Sequence, residues 1–282
     1  MRILGSVLAV AALCLLLAGN ASATATGWVT MSFYNVSPGE GVSYSVDPAG
    51  PLPLRTGSTT AGVYNQKVYL TQGYGNIVDQ EATKLITSLG SADGGTGTGT
   101  WAYASTFCSD ILQSATGTWL RYDIYTPEAA PIGGSQNPMG PTKAADLRKL
   151  FKLYGDYGVG NLDWGDVGNT PTTAEKNEQS AAFQAAVWEI IYETAASYTV
   201  TADAFKITSG NASKTLADYW LTHLGDVDPC IGLRVLVREN QQDFSIVVPG
   251  VGRDPIPEPV TMAGLMLGIG GLSGYIRRRR RA

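Results

Sequence analysis

The chain of 282 residues is 44% hydrophobic and 16% charged, with a formal net charge of −4. Without the terminal charges Arg2, Glu258 and Arg277–Arg281, 14 basic and 23 acidic residues remain, which is a net charge of −9. Because an acidic domain repels phosphate backbones and anionic lipid, this charge argues against nucleic-acid binding. The length between the two chain ends favours one large core over two small domains.

The N-terminus has the pattern of a secretory signal peptide. Arg2 precedes an apolar stretch from Ile3 to Ala18, and Ala21-Ser22-Ala23 has the small-x-small form of a cleavage site. Residues 1–23 are therefore predicted to be removed, together with Cys14. The exported globular domain is expected to comprise residues 24–250.

Segments rich in β-branched and aromatic residues predict strands in the first half of this domain. Residues 28–34 and 41–46 are separated by the turn sequence Ser37-Pro38-Gly39-Glu40, which predicts a hairpin. Three more strands are predicted at residues 62–70, 101–111 and 119–125. Cys108 lies near the end of the strand at 101–111.

Helical spacing of apolar residues replaces the alternation after Pro141. A helix with Thr142 as N-cap and Gly155 at its C-terminus is predicted from the apolar positions Leu147, Leu150, Phe151 and Tyr154. Helices at about 173–196 and 216–224 follow, then strands at 232–237 and 243–248. The expected fold class is α+β, a β-rich sandwich or barrel-like sheet with an inserted helical subdomain.

The second predicted helix carries a glutamine at the centre of its apolar face. At about 100° per residue, Glu175 and Glu193 fall near the side opposite Gln184, and the residues within roughly 60° of it are Ala181, Val187, Trp188 and Ile191. A buried amide without partners costs on the order of 1–3 kcal/mol. Unless the face is rotated and Gln184 is exposed, the glutamine is expected to be hydrogen-bonded or to react.

Two segments resemble those of bacterial thioester domains. Phe183-Gln184-Ala185-Ala186-Val187-Trp188-Glu189 resembles their Gln-x-Ala-Ile-Trp signature, although Phe183 stands where these adhesins usually carry Thr, and Thr106-Phe107-Cys108-Ser109-Asp110 resembles their aromatic-Cys strand. The resemblance implies that the Cys108 thiolate attacks the Gln184 carboxamide and that ammonia leaves. The buried thioester would then acylate an amine on a host or matrix surface.

Other fates of these residues stay open. The oxidising location of an exported chain favours a Cys108–Cys230 disulfide, and the third alternative is a free thiol that packs without reacting. If a thioester forms, Asp110, Tyr103 or His223 could assist the proton transfer.

An enzyme, a cofactor and a metal site are not expected. The chain has one histidine and lacks the Gly-x-Ser-x-Gly, His-Glu-x-x-His and Gly-rich Lys-Ser/Thr motifs, so a secreted hydrolase acting through carboxylates is the remaining enzymatic alternative. The loop residues Asp156, Asn161, Asp163 and Asp166 lack the spacing of an EF-hand, which favours a solvated loop.

The C-terminal residues 251–282 have the pattern of a sorting tail. Pro257-Glu258-Pro259 precedes an uncharged run at 260–276, which as a helix would span roughly 25 Å, close to the thickness of a bilayer core. The positive-inside bias would hold the following arginines in the cytoplasm, namely Arg277, Arg278, Arg279, Arg280 and Arg281.

This order of segments resembles the PEP-CTERM tail of exported bacterial proteins. The resemblance implies a transmembrane sorting helix and processing by an exosortase-type enzyme near Pro257-Glu258-Pro259. The protein would be anchored in the inner membrane before processing and then reach the cell surface or the extracellular matrix. The alternative is a plain single-pass anchor. The expected function is that of a covalent adhesin, or of a non-covalent structural or binding module of the same fold.

Overall fold

Seven β-strands and three α-helices make up the part of the chain that the computed structural model describes. The described residues are 25–47, 54–69, 101–131, 137–161, 170–194, 197–228 and 231–248. The strands are β1 (Gly27–Val46), β2 (Arg55–Tyr69), β3 (Trp101–Cys108), β4 (Leu120–Tyr125), β5 (Phe205–Ile207), β6 (Leu233–Val237) and β7 (Phe244–Val247). The helices are α1 (Pro141–Gly158), α2 (Thr173–Tyr192) and α3 (Asn211–Thr222).

The predicted signal peptide and sorting tail, including Pro257-Glu258-Pro259 and the arginine cluster, lie outside the described residues. Residues 23–253 form a unit of their own. Within the described ranges, no helix is both long enough and apolar enough to cross a membrane.

All seven strands belong to one antiparallel sheet. Its order is β2-β3-β7-β6-β4-β1-β5, and β1 also pairs with β2. Because β1 returns to β2, six strands close into a ring, and the short β5 extends the far end of β1. The expectation of a predominantly β structure with a few helices is confirmed.

The predicted hairpin at 28–46 is wrong, because both segments belong to the single strand β1. The first residues of β1 pair with β4 and the rest pair with β2. The turn-like Ser37-Pro38-Gly39 segment is absorbed by shifts of register against β2. The two strands approach so closely there that a Cβ atom on Gly62 would lie 2.3 Å from the Pro38 carbonyl oxygen. Glycine at that position allows one strand to bend where the sequence pattern indicated a reversal.

The helix boundaries also differ from the predicted ones. Helix α1 begins at Pro141 with Gly140 as N-cap, so Thr142 lies inside the helix, and it continues past Gly155 to Gly158. Helix α2 ends at Tyr192, before the predicted Ala196, and begins with a capping box between Thr172 and Glu175. Helix α3 begins five residues before the predicted start at Leu216, and it ends at Thr222.

Helix α2 is buried on all sides, which the one-faced prediction did not anticipate. Every residue from Gln179 to Tyr192 is buried, because α2 contacts β1 and β2 as well as α1 and α3. Glu193, expected on the solvent side, is also buried, and its carboxylate accepts the backbone N–H groups of Thr194 and Ala204. The helix therefore forms the centre of the helical layer.

Candidate functional site around Cys108 and Gln184

The last residue of β3 and the middle of α2 meet through the side chain of Gln184. The backbone N–H of Cys108 donates to Oε1 of Gln184 at 2.8 Å, and Nε2 of Gln184 donates to the Cys108 carbonyl oxygen at 2.8 Å. Both residues are fully buried. The structure thus brings together two residues that are 76 positions apart in the sequence.

The backbone of Cys108 is free to pair with Gln184 because the pairing between β2 and β3 ends before Cys108. Pairing between β2 and β3 ends at Tyr64 and Thr106, whereas the other edge of Cys108 is taken by Phe244 of β7. A primary carboxamide has the donor and acceptor of a peptide group, so Gln184 occupies the open edge as a further strand would. Both polar atoms of Gln184 are therefore satisfied, as a buried amide requires.

The thiol of Cys108 lies in a buried polar environment. Nε2 of Gln242, in the turn before β7, donates to Sγ at 2.6 Å. Burial raises the pKa of the Cys108 thiol well above its ordinary value, and the hydrogen bond from Gln242 only partly opposes this effect. The thiol is therefore neutral at physiological pH. Cys108 is free in the structure, and Cys230 lies outside the described residues, so the alternative disulfide stays a prediction.

A row of side chains along α2 lines the site. Gln184, Trp188 and Tyr192 follow one another at intervals of four residues, which places them on one side of the helix. The Tyr192 hydroxyl donates to Oδ1 of Asp110 at 2.9 Å. Asp110 also accepts the backbone N–H of Leu112, and burial raises the pKa of its carboxyl group. This carboxyl group is close enough for its charge to raise the pKa of the Cys108 thiol.

Of the three residues considered for proton transfer, only Asp110 lies in this site. Tyr103 is 43% exposed on β3. His223, next to the C-terminus of α3, is exposed and stacks on Tyr219 with the ring centroids 4.1 Å apart. The structure therefore separates Tyr103 and His223 from the thiol.

The sequence pattern did not identify Gln242 as a contact of the Cys108 thiol. It lies in the Gln241-Gln242-Asp243 segment directly before β7. Its proximity to Cys108 follows from the pairing of Phe244 with Cys108, a register that no local pattern specifies. Tyr192 was missed for a similar reason, because its partner Asp110 lies in the loop after β3.

A metal centre is absent from the part of the chain that the structure describes. No group of three or more His, Cys, Asp or Glu side chains there could hold an ion. Of the four residues considered for calcium, Asp156 and Asn161 are described, whereas Asp163 and Asp166 are not.

The hydrogen bonds at Gln184 are suited to acyl transfer. If the sulfur of Cys108 attacked the amide carbon, negative charge would develop on Oε1, which already accepts the Cys108 N–H. Burial of the pair excludes water, which would protect an acyl product from hydrolysis. No protein-family model, curated protein or solved structure matches the chain.

Proposed function

We propose that this chain is an exported surface or matrix-associated protein in which Cys108 and Gln184 form an internal thioester. The observation that carries the proposal is the double hydrogen bond between the Gln184 carboxamide and the backbone of Cys108. It holds the acyl group against the residue that bears the nucleophile, so the reaction gains effective molarity. The fold is proposed to be thioester-domain-like, with the ring of strands as its barrel-like part.

The proposed bond formation is balanced without a further reactant. The sulfur of Cys108 adds to the amide carbon of Gln184, the carbon–nitrogen bond breaks, and the nitrogen leaves as ammonia with the thiol proton. We assign the transfer of that proton to Asp110, because it is the one of the three candidate residues whose carboxyl group lies in the site, where its charge acts on the Cys108 thiol. An amine on a surface ligand then attacks the thioester, which forms an amide to Gln184 and restores the Cys108 thiol.

A second candidate is a structural or binding module in which no bond forms. The observation that favours it is that both amide atoms of Gln184 already have backbone partners while the thiol is neutral. In that case the Gln184 amide joins α2 to the end of β3 through hydrogen bonds alone. A secreted hydrolase ranks below both candidates.

Intact mass of the purified protein tests the proposal. A thioester lowers the mass by one ammonia, and methylamine restores the thiol and leaves a methylated Gln184. The Cys108→Ala variant should show no loss of ammonia, and its mass should not change on treatment with methylamine. A parent protein that has lost no ammonia would favour the non-covalent module, and a mass lower by two hydrogens that reductant restores would favour the Cys108–Cys230 disulfide.

We also propose that the C-terminal segment directs sorting. Pro257-Glu258-Pro259, the apolar run and the arginine cluster support processing by an exosortase-type enzyme. The protein would be anchored in the inner membrane until that step and would afterwards be released to the cell surface or its matrix.

A further inference from the structure

A band of aromatic side chains runs over the outer face of the strand ring. On β2 and β3, Val68 and Ala102 point inward and are buried, whereas the intervening residues point outward. We define the aromatic band by its outward residues Trp28, Tyr34, Lys67, Trp101, Tyr103 and Trp119. They lie on or next to β1, β2, β3 and β4, so the band crosses four neighbouring strands.

Contacts within the band fix the positions of its rings. The ring of Tyr103 lies 5.3 Å from that of Tyr34 and 4.7 Å from that of Trp101. Nζ of Lys67 lies 4.7 Å and 4.8 Å from the Tyr34 and Trp101 rings. The band residue Trp119 packs on the neighbouring Tyr69 with the ring centroids 4.9 Å apart. Because these rings are already held in place, a ligand would immobilise few side chains on binding.

The exposure of the aromatic band is unusual for side chains of this size. Tyr34 is 51% exposed, Tyr103 is 43% exposed and Trp119 is 39% exposed. Single exposed apolar residues are common on proteins, whereas contiguous exposed patches rimmed by polar groups mark interaction sites. We therefore expect the band to bind a partner with a flat apolar surface that packs on aromatic rings.

A polar cleft of about 740 Å³ lies at one end of the band. Arg121 links the cleft to the band, because it lines the cleft and its guanidinium lies 4.7 Å from the ring of the band residue Trp28. The charged residues of the cleft are Arg121, Arg238, Asp123, Glu239 and Asp243. Burial raises the pKa of Asp243 to about 8, so this carboxyl group is largely protonated at neutral pH. The charges of Arg121 and Arg238 are then balanced by those of Asp123 and Glu239, so the cleft has no net charge.

The aromatic rings of the band and the polar groups of the cleft distinguish among three classes of ligand. Single-stranded nucleic acid also stacks on aromatic platforms, but it needs a basic groove, and here Arg121 is paired with Asp123 in a domain of net charge −9. A purely apolar peptide would offer no hydrogen-bond partners to the polar and charged groups of the cleft. A sugar ring offers apolar C–H faces for the aromatic band and hydroxyl groups for the donors and acceptors of the cleft.

We propose that the aromatic band and the cleft together bind a neutral glycan chain. Measured along the curved outer surface of the ring, three strand spacings of about 4.8 Å separate β3 from β4, a path of about 14 Å that can hold more than one sugar ring. The aromatic band and the cleft contain neither Cys108 nor Gln184, although the cleft residue Gln113 donates to Asp110 of that site. The proposal holds whether or not a thioester forms.

Titration of the purified full chain with cellohexaose, laminarihexaose and chitohexaose tests the proposal, with tryptophan fluorescence and calorimetry as readouts. At least one of these glycans should bind saturably, because Trp101 and Trp119 lie in the aromatic band. Trp101→Ala and Tyr103→Ala should each weaken binding by about tenfold or more, as expected for central interface aromatics.

Tyr219→Ala is the matched control, because Tyr219 is 44% exposed but lies on α3, outside the aromatic band. Circular dichroism of each variant checks that the fold is retained. Binding of none of the three glycans, or equal binding by the band and control variants, would overturn the proposal. Tighter binding of an oligothymidylate than of any glycan would assign the face to nucleic acid instead.

Discussion

Nε2 of Gln242 donates to the sulfur of Cys108 at 2.6 Å, and two residues later Phe244 pairs with the backbone of Cys108. The turn before β7 therefore places an amide donor on the thiol, while Gln184 approaches from α2. Cys108 is held between two glutamines, one on its side chain and one on its backbone. Because a donor to sulfur favours the thiolate, Gln242 is expected to assist the nucleophile.

Gln242→Leu should slow thioester formation. Loss of a hydrogen bond to a developing charge costs about 1–3 kcal/mol, which corresponds to roughly a tenfold to hundredfold lower rate. The rate is measured by intact mass as the loss of ammonia after refolding from denaturant. Gln241→Leu is the matched control, since Gln241 is next in the chain and, among the described residues, Gln242 is the glutamine that donates to the sulfur. Equal rates in the two variants would remove Gln242 from the mechanism.

Gln184→Met should lower the free energy of unfolding more than most core substitutions. It leaves the buried N–H and C=O groups of Cys108 without their partner, at about 1–3 kcal/mol each. If the thioester forms, its loss adds about 4 kcal/mol for a loop of 76 residues, by analogy with disulfides. Urea denaturation of the parent and the variant measures the difference.

Gln66→Met is the matched control for this change. Gln66 is also a buried glutamine, but neither of its amide atoms has a hydrogen-bond partner among the described residues. Replacing an unsatisfied amide by a thioether of similar size should be neutral or stabilising. If Gln184→Met is as mild as Gln66→Met, then the pairing with Cys108 contributes little to stability.

Local patterns located most strands but not their connections. Alternation in residues 101–108 and 120–125 is a property of each segment alone, and these segments are β3 and β4. The bend in β1 depends on Gly62 in another strand, so the Ser37-Pro38-Gly39 segment indicated a turn that does not occur. Strand β5 has only three residues and was not predicted, because such a length carries no periodic signal.

The candidate site could be predicted only in part, because local patterns indicate single residues but not the long-range contacts between them. Gln184 was recognisable because an amide among apolar residues on a helix needs a partner. The amphipathic model of α2 failed at Glu193, which is buried by contacts beyond the helix itself, such as its hydrogen bond from Ala204. The position of Gln242 required the register of β7 against β3, which is a long-range property.

Processing of the C-terminal tail should be visible in native cells. Mature protein isolated from the surface should lack peptides containing Arg277–Arg281, whereas a strain without its exosortase-type enzyme should retain them. Ala substitution of Pro257-Glu258-Pro259 should give the same retention, because it removes the proposed recognition motif. Mass spectrometry of terminal peptides makes the measurement. Full-length tails in the mature fraction would leave only the plain anchor.

Stability should fall as the pH rises from about 5 to 9, and Glu189 should be a main cause. Burial raises the pKa of its carboxyl group to about 9, and the neighbouring charges of Glu193, Asp218 and Asp203 act in the same direction. One carboxylate oxygen of Glu189 accepts the Thr199 N–H at 2.7 Å, and the other has no partner among the described residues.

The direction of this pH dependence follows from the number of protons bound in the folded and unfolded states. A carboxyl group whose pKa is higher in the folded than in the unfolded state binds more protons when folded, so its stabilising effect is complete at low pH and is lost towards its folded pKa. Asp243, with a pKa raised to about 8, contributes with the same sign. Lys143 lies close to Glu189, but burial lowers its pKa and its ammonium donates to the Ile191 carbonyl, so it compensates Glu189 only in part.

Glu189→Gln should therefore flatten the pH dependence and raise the free energy of unfolding at pH 8 by about 1 kcal/mol or more. Glutamine keeps the acceptor for Thr199 and removes the ionisable group, so the change isolates the charge. Urea denaturation from pH 5 to 9 is measured in a Cys108→Ala background, where no thioester can hydrolyse. Glu178→Gln, at a less buried position of the same helix, is the control. An unchanged slope in Glu189→Gln would show that this carboxyl group does not titrate with folding.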